Sequence, residues 1–124
     1  MSDTSAHVHH GIDYIELTVT DLEAAKRFYS AAFGWQFNDY GSAYSGIRRF
    51  DGSEGEAGGL APGTEVHTGG PRVLLYSDDL EASVTAVRNA GGTVTEGPFE
   101  FPGGRRFHFT DPSGNELGVW TEAS

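Results

Sequence analysis

An α+β fold of two tandem βαβββ modules, forming a curved mixed sheet around a cleft, is predicted for this 124-residue chain. Three observations predict it. Asp21-Leu22-Glu23-Ala24 returns as Asp79-Leu80-Glu81-Ala82 at an offset of 58, and Gly34 aligns with Gly92 at the same offset. Further on, Asp51 to Leu60 (DGSEGEAGGL) aligns with Asp111 to Trp120 (DPSGNELGVW) at an offset of 60. Each copy also places one helical pattern among segments of period two, which marks a duplicated supersecondary unit. The modules are expected at about 12–61 and 71–121, inside a single domain over 11–122.

The first ten residues, MSDTSAHVHH, are polar and unpatterned and read as a flexible arm; its histidines, His7, His9 and His10, suit adventitious metal better than a built site. From Tyr14 the chain alternates. Ile15, Leu17 and Val19 share one face, and Tyr14, Glu16 and Thr18 the other, as in a strand with one apolar side. Asp21 then offers an N-cap, and Leu22, Ala25, Phe28, Tyr29, Ala32 and Phe33 recur at helical spacing until Gly34. Short strands are expected near 35–40, 43–50 and 56–61, separated by Gly41, Asp51-Gly52 and Pro62-Gly63.

A polar connector with His67, Gly69 and Gly70 leads into the second copy. Val73 and Leu75 alternate with Arg72, Leu74 and Tyr76; Asp79 caps a helix carrying Leu80, Val84, Val87 and Ala90, which ends at Gly91-Gly92. Strands follow near 93–99, 105–110 and 115–121, with an Asp111-Pro112-Ser113-Gly114 turn. One helix per module covers one sheet face. The opposite faces, with Tyr14 and Glu16, Arg72 and Tyr76, Arg106 and His108, and Glu116 and Trp120, are therefore expected to wall a trough.

Composition narrows the partners. Eight Lys and Arg against 18 Asp and Glu give a net charge of −10, a poor match for a nucleic-acid backbone. No apolar run approaches the roughly 20 residues of a membrane helix. The absence of cysteine removes disulfides and thiolate chemistry and suits a cytoplasmic protein. No Gly-rich phosphate cradle or serine elbow is present in the right setting.

The run YIELTVTDLEAAKRFYSAAFGW (Tyr14 to Trp35) and the closing TDPSGNELGVW, in a duplicated frame, resemble the vicinal oxygen chelate superfamily. That group contains glyoxalase I, bleomycin-resistance proteins and extradiol dioxygenases; the FGW and GVW tails resemble its glyoxalase-related branch. The resemblance covers residues 11–122 and implies paired βαβββ modules, a cleft, frequent homodimers and often a divalent metal on four His, Glu or Gln side chains. Carried over by motif spacing, the four positions are Tyr14, Gly58, Arg72 and Gly118. Glycine has no side-chain donor and Arg stays protonated, so no metal is expected there.

Glu16 and His108 are the candidate acid/base residues. A trough carboxylate is partly desolvated, and His108 sits between two helix-facing phenylalanines, Phe107 and Phe109. The competing roles are a salt bridge from Glu16 to Arg72 or Arg106, and a hydrogen-bonded wall histidine. Arg72 and Arg106 suit a carboxylate or phosphate, unless they pair internally with Glu16 or Glu116. Tyr14, Tyr76 and Trp120 supply aromatic walls for a flat organic molecule. Phe28, Tyr29, Phe33 and Trp35 read as core, and Glu54 and Glu56 as solvated. The expected function is metal-free binding of a small anionic or aromatic molecule. The alternative is a lyase, isomerase or oxygenase using Glu16 and His108, or a divalent metal on unusual ligands.

Overall fold

The computed structural model describes His7, His9 and residues 12–66 and 72–123. Most of the expected arm, His10 included, and the connector with His67, Gly69 and Gly70 lie outside these residues. The order is β1 (Ile15–Val19), α1 (Leu22–Phe33), β2 (Phe37–Asp39), β3 (Ser45–Arg48) and β4 (Glu56–Pro62). The second module repeats it: β5 (Val73–Tyr76), α2 (Leu80–Asn89), β6 (Thr93–Phe101), β7 (Gly104–Thr110) and β8 (Glu116–Glu122). Each module forms a four-stranded mixed sheet, β1-β4-β3-β2 and β5-β8-β7-β6. In both, the first strand runs parallel to the last, and the other pairs are antiparallel.

Both helices start where an aspartate accepts a backbone N–H three residues on, Ala24 to Asp21 at 3.0 Å and Ala82 to Asp79 at 3.1 Å. Such a cap satisfies a donor that the helix itself cannot. At the other end the copies differ. Gly34 is left-handed (φ 73°) directly after α1, whereas Ala90 stays right-handed and Gly91 takes the positive φ of 102°. The conformational counterpart of Gly34 is therefore Gly91, not the Gly92 with which the letters align it. Gly92 serves packing: a Cβ there would lie 2.8 Å from both Phe28 and Val87.

One core joins the modules. Leu22, Ala25, Phe28 and Tyr29 of α1 and Leu80, Val84 and Val87 of α2 meet Ile47 and Leu60 of the first sheet and Phe107, Phe109, Leu117 and Val119 of the second. Phe28 and Phe33 reach across to Phe109, with ring centroids 6.1 and 5.6 Å apart. Each such side chain contributes about 1.5–3 kcal/mol by burial. Among the described residues the two sheets share no backbone ladder. Their first strands, β1 and β5, are both edges, and Ile15, Leu17, Val73 and Leu75 line one small apolar cavity of about 80 Å³ between them.

A polar link also crosses the core. The Asp111 carboxylate, 4% exposed, accepts from Tyr29 Oη (2.8 Å), from Asn115 Nδ2 (3.0 Å) and from the backbone N–H groups of Ser113 and Asn115 (2.9 Å each). Asn115 Nδ2 donates also to the Thr18 carbonyl at 2.8 Å, so the turn of the second module is tied to β1 and α1 of the first. Burial and the neighbouring Asp111 carboxylate hold the Tyr29 hydroxyl well above the ordinary tyrosine range, so it remains a donor.

Removing the acceptor strands several buried donors at once. Asp111→Ala is expected to cost about 3–5 kcal/mol, and Tyr29→Phe, which strands none, about 1–2 kcal/mol. Urea unfolding of the two variants beside the parent checks both the size and the ranking.

Candidate functional site

The face of each sheet turned away from the helices carries the polar and aromatic residues. On the first sheet Tyr14 and Glu16 stand beside Tyr44, whose hydroxyl donates to Glu16 at 3.1 Å and is hydrogen-bonded to the hydroxyl of Tyr14. Burial, reinforced by these two partners, raises the Tyr44 hydroxyl far above its usual range. Gly59 makes the arrangement possible, because a Cβ there would fall 1.9 Å from the Tyr44 oxygen. A bulge between Ile47 and Arg48 swings Glu56 to the same face. Its carboxylate accepts from Asn38 Nδ2 (3.0 Å) and Tyr40 Oη (2.6 Å) and is therefore bonded, not merely solvated. Tyr14, Asn38, Tyr40, Arg48 and Glu56 line an open cavity of about 590 Å³.

The second sheet holds the predicted cations. The guanidinium of Arg106 lies 5.4 Å from the Phe99 ring centroid and 5.3 Å from that of Phe101. Trp120 packs against Phe101 (6.3 Å) and edge-on against Tyr76 (5.2 Å). His108 lies next along the face, paired through Nδ1 with Glu96 Oε1 at 3.2 Å and with Phe99 edge-on at 5.4 Å. The Nε of Arg106 and the Nε2 of His108 are buried without a hydrogen-bond partner. Burial lowers the His108 pKa first, helped by the charges of Arg72 and Arg106, while Glu96 opposes them.

Period-two reading reached Arg106, His108 and Trp120 but missed Glu96, Phe99 and Phe101. Register shifts in β6 after Val94 and after Glu96 break the alternation, so that Glu96, Phe99 and Phe101 oppose His108, Arg106 and Gly104. The signal available in the letters was Gly97-Pro98 within a strand pattern, a pair that marks a bulge; Gly97 has φ 88°.

The candidates divide between the sheets. Arg72, Tyr76, Arg106, His108 and Trp120 belong to the second; Tyr14 and Glu16 belong to the first. The hydrogen bonds of Glu16 and of His108 stay within their own modules, to Tyr44 and to Glu96. Neither expected internal pair forms: among the described residues Arg72 and Arg106 make no ion pair, with Glu16, Glu116 or any other carboxylate. Phe28, Tyr29 and Trp35 are buried core, with Phe33 packed against them.

The resemblance to a metal-binding group can be tested on the donor set. Register corrects one of its four positions. Gly58 pairs with Ile15 on the helix side, while Gly59 pairs with Glu16, as Gly118 pairs with Leu74 in the second module. The bulge in the first module offsets the two copies by one residue there. The set becomes Tyr14, Gly59, Arg72 and Gly118, with one phenolic oxygen, a guanidinium and two side chains that donate nothing. These residues do not fit a divalent ion. Among the described residues no three His, Asp or Glu side chains converge elsewhere.

Comparison with known proteins gives a consistent placement. The model of the Glyoxalase/Bleomycin resistance protein/Dioxygenase superfamily matches residues 11–119. The chain is 30% identical over 125 residues to a glyoxylase-like domain-containing protein of Didymella fabae, covering 92% of this chain and 95% of that one. It is 31% identical over 117 residues to CFP32 of Mycobacterium bovis, covering 87% of this chain. It spans 44% of the length of that mycobacterial relative. Among solved structures, a glyoxalase-related enzyme from Fulvimarina pelagi matches with a TM-score of 0.75 at 21% identity, covering 90% of this chain and 88% of that one. TnmS3, an antibiotic binding protein from Streptomyces sp. CB03234, matches with a TM-score of 0.66 at 25% identity, covering 91% and 96%.

The His108 environment has a measurable consequence. A histidine pKa depressed below its ordinary 6.5 means that the folded chain takes up this proton later than the unfolded chain. The contribution of His108 to stability is then constant above about pH 6.5 and is lost as pH falls through that value toward the folded pKa. An NMR titration of the His108 ring is expected to give a midpoint below that of free histidine. His108→Gln is expected to flatten the acid limb of stability against pH between about 5 and 7.

Proposed function

The chain belongs to the Glyoxalase/Bleomycin resistance protein/Dioxygenase superfamily, and from that premise we propose that it binds a small, flat organic anion on the outer face of its second sheet. One observation carries this reading: Arg72 and Arg106, neither with a carboxylate partner among the described residues, share one sheet face with His108 and the rings of Phe99, Phe101 and Trp120. Sharing one face with an aromatic layer, and one of them set against Phe99 and Phe101, they keep their planar forks for a ligand carboxylate or phosphate. Tyr76 and Trp120 supply the aromatic wall, and His108 supplies a polar atom at its centre. Tyr14 belongs to the same reading as a wall of the first-sheet cavity.

Binding works here by burying ligand surface against the rings while the guanidinium groups fix its orientation. The description of TnmS3 as an antibiotic binding protein supports binding of a small molecule in this family. The reading includes no resident metal, since the donor set at the family positions does not fit one. A homodimer belongs to it as well: the outer edges of β1 and β5 have no ladder partner among the described residues, and Ile12, Ile15 and Phe50 stand exposed. A cytoplasmic location rests on the lack of cysteine alone. The lyase, isomerase or oxygenase alternative with Glu16 and His108 acting together has less behind it, because each is hydrogen-bonded to another residue of its own module.

The test is a screen of flat aromatic carboxylates and phosphates by NMR shift mapping. Hits are expected to move the signals of Arg106, His108 and the Trp120 indole. Arg72→Ala and Arg106→Ala are each expected to weaken them about tenfold to a hundredfold, the loss of one charged hydrogen bond, with the thermal midpoint of the free protein little changed. Hits that bind both variants as tightly as the parent would refute the site.

A further inference from the structure

We propose that Glu96 and His108 form a carboxylate–imidazole pair that presents Nε2 of His108 as a bare acceptor, selecting a ligand with a hydroxyl on its ring, a phenol or an enol. This rests on the reading that the outer face of the second sheet is the binding face, and it adds the chemical group recognised there. Glu96 is a positioning residue in this scheme.

An ionised carboxylate only accepts hydrogen bonds, so at the 3.2 Å contact with Glu96 Oε1 the Nδ1 of His108 is the donor. A neutral ring holds one N–H, which leaves Nε2 with its lone pair free. Three features keep the ring neutral: its burial, with 6% exposed, and the charges of Arg72 just before β5 and of Arg106 on β7 itself. Glu96 on β6 is the opposing charge, and β8 places Gly118 against the ring.

The ring is also held in place. Phe99 meets it edge-on, and its Cδ2 edge stands over Gly118, where a Cβ would come within 3.1 Å. The same missing Cβ would lie 2.5 Å from a methyl of Leu74. Leu74 and the Cδ2–Nε2 edge therefore share the space that Gly118 leaves open. Leu74 is 37% exposed on an edge strand, and its side chain is the one a ligand displaces to reach Nε2. A buried acceptor without a partner is rare in a native protein, and here it has a movable apolar cover on the face that carries the unpaired arginines. A hydroxyl donating to Nε2 acquires partial negative charge on its oxygen, which Arg72 and Arg106 stabilise. An ether or a bare ring at the same point leaves Nε2 as unsatisfied as before.

The experiment has two arms on the full chain. Nitrogen-15 NMR of the free protein near neutral pH is expected to show His108 in the Nδ1–H form, and Glu96→Ala is expected to shift it toward Nε2–H. A parent protein with the proton on Nε2 overturns the proposal. In the second arm phenol is titrated beside anisole, which matches it in shape but has no hydroxyl to donate. Phenol is expected to bind at least tenfold more tightly, the preference vanishing in His108→Phe, and Leu74→Ala is expected to strengthen phenol binding. Equal binding of phenol and anisole also overturns it. Benzoate, carried alongside, reads the anion site separately: benzoate binding lost in Arg72→Ala, with phenol and anisole bound alike, leaves the anion reading standing and sinks this one.

Discussion

Asp111 is the buried charge around which the two modules are arranged. A carboxylate at 4% exposure is costly unless its lone pairs are filled. It is filled from both sides, by its own turn through Ser113 and Asn115 and by Tyr29 from the other module. That requirement fixes the distance between α1 and the β7–β8 turn, and Asn115 extends it to the Thr18 carbonyl at the end of β1. With the separation set, Phe28 and Phe33 can reach Phe109, and the two helices can share one apolar core. Dispersion and burial supply most of the stabilising free energy, but they are non-directional. The polar link supplies the register.

The core also determines what remains outside it. Once both sheets turn their Phe, Leu and Val faces to the helices, their other faces carry everything that does not suit a core. On the first sheet this becomes a tyrosine–carboxylate network lying flat over Gly59. On the second it becomes a cationic and aromatic layer, with Arg106 against Phe99 and Phe101 and His108 over Gly118. Glycine does the same work on both faces by removing the Cβ that would fill the space. On the first face Glu16 and Glu56 are bonded to tyrosines, and on the second Arg106 lies against the rings of Phe99 and Phe101.

Membership of the superfamily fixes the fold and leaves the chemistry open. The four positions that the resemblance assigns to a metal are retained as places in the sheets, with a single oxygen donor, Tyr14, among them. The same scaffold then offers a floor of missing side chains in place of a coordination sphere. In the proposed reading, the residues around that floor, several of them on the bulged strand β6, take over ligand recognition.

The letters alone determined the duplicated βαβββ frame, both helix caps and the helix-facing phenylalanines. These are local features: an aspartate before an apolar period and an alternation of two are legible wherever they occur. The face assignment of Arg72, Arg106, His108 and Trp120 followed from that alternation. Tertiary structure decided three further things. It moved the glycine of the first metal position from Gly58 to Gly59 and the left-handed residue of the second helix from Gly92 to Gly91, because single-residue irregularities shift a face or a cap without changing composition. It brought Glu96, Phe99 and Phe101 into the site, because a bulged strand abandons the period on which sequence reading depends. It also gave Glu16 and His108 different hydrogen-bond partners, Tyr44 and Glu96, since side-chain pairing depends on packing within each module. Packing between the modules is set here by Asp111 and the shared phenylalanines, whose partners lie far away in the sequence.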